Sequence, residues 1–169
     1  AEYGTITGMA MPIVLFPATF LTAVSGLLIP EFSRYYVKKD YIKIKKYSDK
    51  LIIGSFLFAL FLTFLYIIFG NKLGEIIYHD AQIGIYIKMF APLIPFMYVD
   101  IVVDNILKGL DAQVNVLFIN IIDLLVSISF IFFFVPAFGI KGFIASIFAS
   151  EILNFGLSLK KLLDLEKKW

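Results

Sequence analysis

Apolar positions along the chain gather into five long blocks, each near the roughly 20 residues that a helix needs to cross a bilayer. The pattern predicts spanning helices at about 5–30, 51–70, 84–108, 114–135 and 142–159. The expected fold is therefore all-α, a multi-pass transmembrane helix bundle. Within the first block, Pro12 and Pro17 predict bends where neighbours satisfy the freed carbonyls, and the Gly4/Gly8 pair allows a close helix contact. Thr19, Thr22 and Ser25 make a weak polar stripe suited to interhelical packing. The second block holds no charged residue, and Ser48 or Asp49 is its expected cap. In the fifth, Gly142, Ser146, Ser150, Asn154 and Ser158 recur at every fourth residue, the spacing of a small-residue packing ridge.

The third block, KMFAPLIPFMYVDIVVDNILKGLD, breaks the apolar rule in its second half. Asp100, Asp104 and Lys108 follow one another at i, i+4 and share a helix face, with Asn105 beside them. An ionised Asp at the bilayer centre costs on the order of 3 kcal/mol even on lenient scales. That face must look at protein, water or a cargo and not at lipid. The fourth block adds Asn120, Asp123 and Ser127 on one face, and the fifth adds Glu151.

Composition agrees. The 169 residues are 60% apolar and 17% charged, with a mean hydropathy of +0.91, too few charges to coat a soluble domain. There is no cysteine, which excludes disulfides and thiolate metal sites. The chain opens AEYGT, without an initiator Met or a signal peptide, and reads as a piece that begins inside a longer protein.

Charge distribution orients the spans. Residues 31–50, read as a connector, hold seven of the fifteen Lys and Arg, among them Arg34, Lys38, Lys39, Lys43, Lys45 and Lys46, interleaved with tyrosines. Such a segment suits a membrane surface with anionic lipid, and the flanking spans disfavour nucleic acid as a partner. Placing it in the cytoplasm and alternating sides puts twelve basic residues inside and three outside. The expected orientation has the N-terminus outside and the C-terminus, with its basic tail and Trp169, in the cytoplasm.

At that orientation Asp100, Asp123 and Glu151 fall at similar depths on three successive helices, about 12–15 Å from the cytoplasmic helix ends. One reading is a polar cavity, lined also by Asn120 and Asn154, whose carboxylates bind a coupling Na⁺ or H⁺ or meet a polar cargo. The other is a set of buried acids that hold the bundle together through Asn105, Asn120, Asn154 and the serines. Asp104 and Lys108 are expected to form an ion pair near the interface. Enzyme chemistry finds no support: there is no His–carboxylate constellation, no glycine-rich phosphate loop and no metal-ligand spacing, and the lone His79 has no second ligand near it. No cofactor is expected.

Three stretches, YGTITGMAMPIVLFPATFLTAVSGLLIPEFSRYY, FAPLIPFMYVDIVVDNILKGLDAQ and NIIDLLVSISFIFFFVPAFGIKGFIASIFASEILN, give the chain a resemblance to a known family. Taken in order, they resemble the C-terminal half of the polysaccharide biosynthesis branch of the multidrug/oligosaccharidyl-lipid/polysaccharide exporter superfamily. The resemblance implies two six-helix lobes around a central cavity, working by alternating access to flip a lipid-linked sugar such as a peptidoglycan or polysaccharide precursor. The chain would match the eighth to twelfth helices, so the N-terminal lobe and one helix of this lobe would be missing partners. The cavity arginines of related flippases have no counterpart here, since Arg34 is the only Arg. The alternatives are a cation-coupled multidrug exporter of the same superfamily, and a non-transporting membrane scaffold for cell-wall or spore-cortex assembly.

Overall fold

The structure, a computed structural model, describes residues 2–168; the expected interfacial Trp169 lies outside the described residues. It is a bundle of helices throughout. The first span is α1 (Glu2–Thr5), a π-helical turn (Ile6–Ala10), α2 (Met11–Leu15), α3 (Ala18–Leu27) and α4 (Ile29–Val37). The long α5 (Tyr41–Tyr78) follows. The third span is α6 (Ala81–Phe90), a 3-10 turn (Ala91–Leu93) and α7 (Ile94–Gly109). A hairpin of α8 (Gln113–Phe138) and α9 (Ile140–Glu166) completes it. Four helices are long and apolar enough to cross a membrane, and there are five when the bent pair Glu2–Leu15 and Ala18–Val37 is counted as one span.

The proline-interrupted first span is repaired from neighbouring helices. The first span bends by 50° at Phe16–Pro17. Pro17 has no N–H for the carbonyl of Ile13, and the Tyr66 hydroxyl of α5 donates to that carbonyl at 2.8 Å. The next carbonyl, Val14, accepts from the Tyr98 hydroxyl of α7 at 2.6 Å. Pro95 likewise has no N–H for Ala91, but that carbonyl accepts from the Ile94 N–H instead, and the Thr63 hydroxyl of α5, which lies 2.8 Å from the Ala59 carbonyl of its own helix, is 3.2 Å away. Thr63 and Tyr66 sit one turn apart on the same buried face of α5, so a single helix face lies against both broken spans.

Several expectations are corrected. The basic segment is not an open connector. It is α4, a tight turn at Lys38–Asp40 with Lys39 at φ 54°, and the first turns of α5. The cap of α5 is Asp40, which accepts from the Lys43 backbone N–H at 3.3 Å, whereas Ser48 is fully buried inside the helix. The Lys43 ammonium, 2.8 Å from Asp40, holds that carboxyl below the usual carboxylate range. Residues 71–80, left between the predicted second and third spans, are also helical up to Tyr78, leaving only His79 and Asp80 to turn the chain, His79 in the left-handed conformation. At 1.5 Å per residue α5 is about 57 Å long, nearly twice the hydrocarbon thickness, so it projects well beyond it.

The close helix contacts are made by other glycines. A Cβ on Gly4 or Gly8 would meet nothing within 4 Å, so that pair makes no tight crossing. Gly70 and Gly74 of α5 instead face Gly84 of α6, where a Cβ on Gly84 would overlap the backbone of Asn71. Gly142 is as tightly held against the Phe134 carbonyl at the start of the α8–α9 hairpin. Gly84→Ala is expected to destabilise the protein by about 1–3 kcal/mol, as overpacking does, while Gly8→Ala leaves it unchanged. Thermal unfolding of the two variants in detergent checks this, and equal stability would refute the tight crossing.

Helix α7 lies at the centre and contacts α3, α4, α5, α8 and α9. Tyr98, Val103 and Leu107 are fully buried, and Asp100 and Asn105 are almost as deep. The α8 helix is the opposite case. Only Val116 and Ile119 of its residues are buried, and its phenylalanines face outward.

Candidate functional site

The repeat of small polar residues on α9 does more than pack. From one face of that helix, three side chains each donate to a carboxylate of a neighbour. The Ser150 hydroxyl donates to Asp123 Oδ1 on α8. Asn154 Nδ2 donates to Asp100 Oδ2 at 2.8 Å, and the Ser158 hydroxyl donates to Asp104 Oδ1 at 3.1 Å, both on α7. The donors stand four residues apart on α9 and their α7 acceptors four apart on α7. That register requires the two helices to run parallel, as the third and fifth spans of an alternating chain must. The hairpin partner α8 runs antiparallel and reaches the ladder only through Asp123.

All three rungs are partly buried, and the middle one is not fully satisfied. Asp100 is 5% exposed, yet its Oδ1 has no hydrogen-bond donor, and neither has Asn154 Oδ1. Two buried acceptors therefore adjoin one another at the middle rung. Glu151, half-buried and adjacent to Ser150, lies within electrostatic reach of Asp100, Asp104 and Asp123. No group of three or more His, Cys, Asp or Glu with metal-binding geometry occurs among the described residues.

The remaining sequence-predicted residues are placed as follows. Asn120 is exposed on α8 and joins none of these rungs. Asn105 faces the other way and donates to the Ser25 hydroxyl at 2.7 Å, so it is not a partner of the acids. The expected Asp104–Lys108 ion pair does not form. Asp104 is taken by Ser158, and the exposed Lys108 extends toward the helix end, its ammonium 3.5 Å from Asn105 Oδ1. Arg34 pairs with Glu31 at 3.3 Å, Lys43 pairs with Asp40, and Lys45 and Lys46 line a shallow pocket with Asp49 and Glu166. Sequence reading missed the tyrosines that repair the first span. Their signal was a Tyr inside an apolar block, where its hydroxyl needs a partner.

The structure is thus a multi-pass helical bundle with carboxylates ordered across three helices. The MatE family model matches residues 1–133, and the chain belongs to the MatE family of the multidrug/oligosaccharidyl-lipid/polysaccharide exporter superfamily. It is also 22% identical over 154 residues to stage V sporulation protein B of Bacillus subtilis (strain 168), an alignment covering 90% of this chain and 30% of that protein. The chain thus spans less than a third of the length of the curated relative it matches. No solved structure matches it.

Proposed function

We propose that this chain is the C-terminal, cargo-facing lobe of a flippase that moves a lipid-linked oligosaccharide or a peptidoglycan or polysaccharide precursor across the cell membrane by alternating access. The observation that carries the reading is the middle rung of the acidic ladder, where Asp100 and Asn154 present acceptor oxygens that the protein does not satisfy. A buried acceptor left without a donor costs about 1–3 kcal/mol. A cargo hydroxyl, a proton or a cation would remove that cost, and each belongs to a transport cycle. Asn120 is exposed on α8, and on this reading it is available to the first lobe of a two-lobe transporter. Sugar hydroxyls suit such acceptors, and the resemblance to the polysaccharide branch supports that cargo.

A second reading, a cation-coupled exporter of small molecules, is favoured by the same two oxygens together with the nearby Glu151 and Asp123. In either case the orientation supported by charge is N-terminus outside and C-terminus cytoplasmic, with twelve basic residues against three. The test uses the full-length protein in proteoliposomes, following a labelled lipid-linked oligosaccharide between leaflets with and without Na⁺ or proton gradients. Single cysteines at Lys39 and His79, in a full-length background without other cysteines, report the orientation in the same vesicles. Flipping is expected. Its absence with the protein folded would turn the assignment to drug export, and absence of both activities would leave a scaffold. Labelling of both cysteines from one side would overturn the orientation.

A further inference from the structure

A second feature lies apart from the ladder. A groove of about 450 Å³ runs between α3 and α5, floored by Val102 of α7, and none of its walls belongs to α8 or α9. At one end the Phe20 and Phe58 rings close it, their centroids 6.2 Å apart. At the other end stand Tyr47 and Lys50. We propose that this groove holds one acyl chain of a resident anionic phospholipid, with the lipid phosphate against Lys50.

Four observations support that occupant. First, the groove lies along membrane-spanning helices, where the surrounding medium is hydrocarbon. Second, its wall offers almost nothing polar to a sugar. The hydroxyls of Ser25 and Ser55 donate to their own helices, to the Leu21 carbonyl at 2.6 Å and the Ile52 carbonyl at 2.9 Å. Third, Gly54 lines the groove, and a Cβ there would meet nothing within 4 Å. No protein neighbour requires glycine at that position; its missing side chain widens the channel. Fourth, an unpaired cation stands at the open end. Lys50 has no ion-pair partner among the described residues. Next to it, Tyr47 stacks on Tyr35 at 5.8 Å, and Arg34 and Lys43, paired with Glu31 and Asp40, lie 5.5 Å from the Tyr35 ring. From Lys50 to Phe58 the groove extends about 12 Å along α5, running from a charged mouth to an apolar end, as a phospholipid does. Cargo that must meet the acidic ladder would lie on the α8–α9 side of α7.

The test is native mass spectrometry of the full-length protein in detergent, titrated with phosphatidylglycerol or phosphatidylcholine. Wild type is expected to retain one phosphatidylglycerol in preference to phosphatidylcholine. Lys50→Gln should lower that preference about five-fold, the contribution of one basic residue near an anionic headgroup. Gly54→Leu, which puts a side chain into the groove, should lower retention of both lipids about ten-fold even if only two methylenes are displaced. Its thermal stability should match wild type, because the position is open. Equal retention of the two lipids by wild type, or retention unaffected by either variant, would overturn the proposal. Displacement of phosphatidylglycerol by a polyprenyl phosphate at equal concentration would also overturn it, assigning the groove to a cargo tail.

Discussion

Asp100→Asn is expected to leave the fold intact and to lower transport by at least about ten-fold, an increase of about 1.4 kcal/mol in the barrier. The asparagine has the shape of the carboxylate and keeps an oxygen for the Asn154 amide, so the rung from α9 survives. What is lost is the charge, and with it the capacity to bind a proton or cation. Removing a charge from the middle of a spanning helix relieves a cost on the order of 3 kcal/mol, so thermal stability should hold or rise. Asp123→Asn, which preserves the Ser150 contact, and Glu151→Gln should follow the same pattern. The measurement pairs a proteoliposome transport assay with thermal unfolding of each variant. Undiminished transport in all three, or unfolding without the charge, would make the ladder a structural clamp.

The second large effect concerns the broken first span. Tyr98→Phe should destabilise the protein by about 1–3 kcal/mol, the cost of a buried carbonyl left without its donor. Tyr98 is fully buried and a phenylalanine fills the same space, so the change removes little besides the hydrogen bond to the Val14 carbonyl. Tyr66→Phe should act in the same direction by stripping the Ile13 carbonyl. A Pro17→Ala background should soften the Tyr66 variant, because alanine restores the N–H that Ile13 lacks. It should not soften the Tyr98 variant. Thermal unfolding of the single and double variants resolves this, and an unchanged melting temperature for Tyr98→Phe would show that the hydroxyl does not support the bend.

Much of the architecture could be read from residue pattern. The five apolar blocks, the bend at Pro17 and the need for the Asp100 face to avoid lipid all follow from what a bilayer accepts. The ends of the helices could not be read in the same way. Polar residues at 41–50 and 71–78 signalled connectors, yet both segments continue α5, because a helix leaving the membrane satisfies its own backbone while its side chains meet water. The glycines show a similar division. The spacing of Gly4 and Gly8 equals that of Gly70 and Gly74, and only the second pair meets a facing backbone.

The acids divide in the same manner. Apolar periodicity alone established a membrane bundle with carboxylates on three helices, since the cost of exposing them to lipid depends on residue type and depth and not on partners. Which donor meets which acid depended on packing. The parallel register of α7 and α9 carries Asn154 to Asp100 and Ser158 to Asp104, and it leaves Lys108 beside Asn105 instead of its neighbour one turn back. A helix face is local and can be read along one chain segment. A hydrogen bond between residues 54 positions apart is a property of how two helices lie together.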